Sequence, residues 1–134
     1  ARSQAFKRKD YYIFARAHRI LGDIYFNRGQ FDRAFESVFY ACSHVLRLDA
    51  NIFLMTSSRR YILYDLCEDW ATNLLLELPS DELAKKWSEY LISKWMGARF
   101  GKIKLHEYSP GFEVKMQAIF ENYSFLRAGL SEEK

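Results

Sequence analysis

Glycine and proline are scarce in this chain: 6 Gly and 2 Pro in 134 residues. An all-β sandwich of this length needs a turn every few residues and a matching supply of turn formers, so that class is excluded. Cysteine is as scarce as proline. Cys42 and Cys67 are the only two, too few for a disulfide framework or a zinc-ligand set. Both sit inside apolar helical patterns, where reduced, buried thiols and a cytoplasmic location are expected. No apolar run approaches the ~20 residues that span a bilayer, so no membrane contact is expected. No signal peptide is visible. The chain opens on Ala1 rather than Met, which fits a processed chain or a piece of a longer protein.

What is present is apolar and aromatic. Hydrophobic residues make up 49% and aromatics 17%, with 11 Phe, 9 Tyr and 3 Trp, against 28% charged. That composition buries a core rather than staying disordered. Surface scaling lets a chain of this size bury about 68% of its unfolded area, enough for one helical domain. Net charge is +3, unevenly spread. Residues 1–60 hold 11 Lys/Arg against 5 Asp/Glu, residues 61–93 hold 2 against 7, and residues 94–115 hold 5 against 2. A basic first half suits an acidic partner or RNA.

Hydrophobic period and cap residues predict five helices, over about 6–28, 31–49, 58–78, 81–97 and 110–128. In the first, Ile13, Ala17, Ile20, Leu21, Ile24 and Tyr25 recur at three- and four-residue steps and are the expected buried stripe. Gly29 stops this helix, and Phe31, Ala34, Phe35, Val38, Ala41, Cys42 and Val45 resume the period, so the two helices form a hairpin. Residues 50–58 read as a connector. The third stripe is Ile62, Leu63, Leu66, Cys67, Trp70 and Leu74, ended by Pro79. Ser80 caps the fourth helix, whose stripe is Leu83, Ala84, Trp87, Leu91 and Trp95. Residues 97–109 read as a basic loop. Ser109 and Pro110 open the fifth helix, which buries Phe112, Met116, Ile119, Phe120, Tyr123 and Leu126 and stops at Gly129. The expected fold is a compact all-α bundle of about five antiparallel helices.

Residues 15–41 resemble one tetratricopeptide (TPR) hairpin through Leu21, Gly22, Tyr25, Gly29, Phe31, Ala34 and Ala41. Gly22 and Ala34 are small where paired helices touch, Leu21 and Tyr25 fill the space between, and Ala41 admits the next helix. The pattern departs at His18, where the family prefers a large apolar residue, and no second copy follows. The resemblance implies a non-catalytic protein-interaction module. Its docking face, carried over by position, is Arg16, Arg19, Asp23, Phe26 and Asn27. The two arginines there suit an acidic peptide through charge-assisted bonds.

A second resemblance covers more of the chain. Phe39-Tyr40-Ala41-Cys42-Ser43-His44, Leu78-Pro79 with Glu82-Leu83, and Ala98-Arg99-Phe100 are similar to segments of HEPN helical bundles. Arg99 lies seven positions before His106, and Tyr108 follows. This resemblance implies RNA binding or metal-independent RNA cleavage at a homodimer. His106 would move the proton, while Arg99, Lys102 and Lys104 would hold the phosphate.

Other chemistry finds little support. His18, His44 and His106 are too dispersed for a metal site, and no cofactor motif is present. Cys42 and His44, two apart on a helix, do not face each other. Asp65, Glu68 and Asp69 read as an acidic patch on one helix. Tyr11, Tyr12 and Phe14 beside Lys7, Arg8 and Lys9 offer a nucleobase-stacking alternative to simple docking of the first helix.

Overall fold

The computed structural model describes residues 2–51, 68–100, 103–104 and 110–132, with the side chains of 13–43, 68–99, 104 and 111–130. The described residues are almost wholly helical. They form α1 (Arg2–Asn27), α2 (Phe31–Asn51), α3 (68–76), α4 (Asp81–Gly97) and α5 (Pro110–Glu132). One minimal ladder joins β1 (Arg99–Phe100) to β2 (Ile103–Lys104), antiparallel. The fold class is therefore all-α. The chain divides into two compact units, Ala1–Cys67 and Glu68–Lys134.

In the first unit the chain reverses within three residues. Gly29 takes φ +75°, the left-handed region that a Cβ disfavours. This lets the Gln30 amide donate to the Tyr25 carbonyl at 2.9 Å and the Gly29 amide donate to the Phe26 carbonyl at 3.0 Å. These two bonds are the Schellman pattern, and they satisfy carbonyls that the helix end leaves open. The Gln30 carbonyl then accepts from the Ala34 amide at 3.0 Å and starts α2. α2 buries Ala34, Phe35, Val38, Ala41 and Cys42, as its period predicts.

α1 meets α2 by a different face from the expected one. Ala15 and Gly22 are buried, His18, Tyr25 and Phe26 are half-buried, and Phe26 packs on Phe31 and Phe35 with ring centroids 5.2 and 6.2 Å away. Ile13, Ala17, Ile20, Leu21 and Ile24 are exposed. His18 against Tyr40, Tyr25 under Arg33 and Phe26 against Phe35 make contacts with α2 on this face, and the two small residues buried there weigh little in a hydrophobic pattern. Cys42 is buried but disulfide-bonded, which corrects the expectation of a reduced thiol and removes its support for a cytoplasmic location.

In the second unit α3, α4 and α5 share one core. Trp70, Ala71, Leu74, Leu75 and Leu78 come from the first of these segments, Ala84, Trp87, Leu91 and Trp95 from α4, and Phe112, Met116, Ile119 and Tyr123 from α5. Trp95 and Phe112 stack with centroids 4.2 Å apart. Ser80 caps α4 as expected, its hydroxyl accepting from the Leu83 amide at 3.2 Å. Two local expectations are corrected. The basic loop contains the β1–β2 ladder, and α5 runs past Gly129 to Glu132, with non-helical angles at Asn122 instead. The start of the third helix, most of the 50–58 connector and Ser109 lie outside the described residues.

Candidate functional site

The face implied by the TPR resemblance falls on α1. Arg16, Arg19, Asp23 and Asn27 are all exposed there. Phe26 is not part of that surface: it turns inward onto Phe31 and Phe35. Its place is taken by residues that the sequence pattern had assigned to the core. At 3.6 residues per turn, Ile13, Ala17, Ile20 and Ile24 fall within about 60° of one another, on the side of the helix away from Ala15, His18, Gly22 and Tyr25. Ile13 is 58% exposed, Ile20 59% and Ile24 40%. Phe14 and Leu21 widen the stripe on one flank, at 49% and 40%. Arg16 and Asp23 border the other flank, seven residues apart. α1 is thus apolar on two opposite faces, and only one is covered by α2.

On the covered face, the His18 ring lies 5.4 Å from the Tyr40 ring. Burial lowers the His18 pKa below the ordinary histidine value, and the carboxylate of Glu36 offsets part of that fall. A neutral imidazole therefore suits a position where the family pattern would place a large apolar residue.

The second candidate site is only partly within view. Arg99 is exposed on β1 and stands directly across the ladder from Lys104 on β2. Cross-strand neighbours of like charge repel, so this pair favours an anion between or above them. Lys102, His106 and Tyr108 lie outside the described residues, as does any meeting of Arg99 with His106. The side chains of Lys7, Arg8, Lys9, Tyr11, Tyr12 and His44 are also outside the described set, whereas Phe14 is exposed.

The expected acidic patch is partly neutralised. Lys115 of α5 reaches Asp69 at 3.2 Å and Glu68 at 3.4 Å. Partial burial pulls the lysine pKa down, but the two carboxylates outweigh that and hold it above its ordinary value. Asp65 lies outside the described residues. Among the described residues no group of His, Cys, Asp and Glu could hold a metal ion, and no helix is long and apolar enough to cross a membrane.

One polar cluster escaped the sequence reading. The Leu78 carbonyl, at the end of the α3 segment, accepts from both the Tyr123 hydroxyl and the Arg127 guanidinium. Arg127 also donates to the Tyr123 oxygen at 2.6 Å. The i, i+4 spacing of Tyr123 and Arg127 was a signal that they share a helix face, but their target is 45 residues away from Tyr123. The cluster closes a helix end and places a cation at its negative pole, a structural role.

No family model, no curated protein and no solved structure matches this chain.

Proposed function

We propose that this chain is a helical protein-interaction module whose contact surface is the outward face of α1. One observation carries the reading: that face exposes a continuous apolar stripe bordered by Arg16 and Asp23, with Arg19 further round the helix. Contiguous exposed apolar surface rimmed by charge marks a contact site far more often than a bare monomer surface. The arginines favour an acidic amphipathic helix, which would lay its apolar side on Ile20 and its carboxylates beside Arg16 and Arg19. A fluorescein-labelled amphipathic peptide rich in Glu tests this. It should bind, lose affinity as salt rises, and lose about tenfold or more in an Arg16→Glu/Arg19→Glu variant. A peptide that does not bind, or binds the variant equally, contradicts the reading.

A second reading follows from the Arg99–Lys104 pair. In it the chain is an RNA-binding or metal-independent RNA-cleaving domain of HEPN type, with His106 and Tyr108 beside Arg99. Labelled single-stranded RNA separates the two. The second reading expects salt-sensitive binding weakened by Arg99→Glu, and cleavage lost in His106→Ala. RNA left intact and unbound removes it.

A further inference from the structure

The outward stripe of α1 repeats with a period of seven. Ile13 and Ile20 are seven apart, as are Ala17 and Ile24, and together they step by four, three and four. This is the seam spacing of a two-stranded coiled coil. The same steps read identically in both directions. A second copy laid antiparallel, with the two-fold axis between His18 and Arg19, therefore meets the first in register. Ile13 then faces the partner's Ile24, and Ala17 faces the partner's Ile20.

The flanks match in the same arrangement. Phe14 falls opposite the partner's Leu21, apolar on apolar. Arg16 falls opposite the partner's Asp23, cation on anion, and two-fold symmetry makes each contact twice. A parallel arrangement instead places Arg16 against the partner's Leu21 and aligns the two helix dipoles unfavourably. The surface thus complements itself in shape, in polarity and in sign of charge, and only in one orientation.

We propose that two copies of this chain associate through α1, antiparallel, burying Ile13, Ala17, Ile20 and Ile24 between them and pairing Arg16 with the partner's Asp23. This rests on the reading of α1 as a protein-contact face and names the occupant. The stripe is about 17 Å long at 1.5 Å per residue, a small interface, so association is weak and concentration-dependent.

Sedimentation velocity of the full chain, from low to several hundred micromolar, tests the proposal. The mean mass should rise toward twice the chain mass. Arg16→Asp alone and Asp23→Arg alone each set like charges opposite each other and should weaken association about tenfold or more. The double variant exchanges the signs and should restore it to within a few-fold. These positions are exposed, and circular dichroism checks that each variant stays helical. A chain that remains monomeric throughout overturns the proposal, and so does a dimer whose strength the single changes leave alone or the double change fails to restore. The acidic peptide separates the two levels. If it binds and Ile20→Glu abolishes that binding while the chain stays monomeric, the contact face stands and self-association falls. If neither occurs, both fall.

Discussion

Gly29 and His18 show how single residues set the first hairpin. Gly29 holds φ +75°, and nothing lies near the place where its Cβ would be, so the only obstacle to a side chain is backbone strain. Gly29→Ala should destabilise by about 1 kcal/mol, read as a lower urea midpoint at unchanged slope. His18 acts through protonation. Its pKa is lowered in the folded chain, so below the ordinary value of 6.5 the unfolded chain binds the proton more readily. Stability from this group is present above pH 6.5 and is lost as the pH falls through the lowered value. A His18→Gln variant should lose that part of the pH dependence. Urea midpoints of both chains from pH 7.5 to 4.5 check it, and parallel profiles would contradict it.

At the scale of elements, the second unit depends on how α5 closes the end of the α3 segment. Tyr123 and Arg127 both donate to the Leu78 carbonyl, so either alone still satisfies it. Tyr123→Phe should therefore cost only about 1 kcal/mol, while removal of both donors should cost more than the two single changes together. Thermal unfolding of the two singles and the double measures this coupling. Elements whose signals are local were legible in the sequence. Ser80 sits where a cap is needed, Gly29 where a left-handed residue is needed, and Ala84, Trp87, Leu91 and Trp95 keep one helical face. The face of α1 was misread for a physical reason. Its outer stripe is more apolar than its inner one, and periodicity cannot say which face meets α2 when the buried face carries Ala15, His18, Gly22 and Tyr25. Gly129 failed as a stop because a glycine permits a left-handed turn without requiring one. The Tyr123–Leu78 bond and the Cys42 disulfide depend on partners distant in sequence, and no local pattern specifies them.

At the scale of the molecule, α1 is covered on one side and apolar on the other, and its outward charges complement those of its own copy. That asymmetry is the basis for reading the first hairpin as a contact module rather than as an isolated structural element. Of the expected docking residues, Arg16, Arg19, Asp23 and Asn27 lie on the surface, and Phe26 does not. The residues that replace it, Ile13, Ile20 and Ile24, belong to the apolar period that predicts an interior face, and they are exposed. Hydroxyl-radical footprinting over a range of protein concentrations tests this account most directly, because it reads side-chain exposure residue by residue. As concentration rises, oxidation of Ile13, Phe14, Ile20, Leu21 and Ile24 should fall together, while Phe125 and Met96, exposed in the second unit, keep their rates. Rates on α1 that do not change with concentration, or that fall no more than those of Phe125 and Met96, would contradict it.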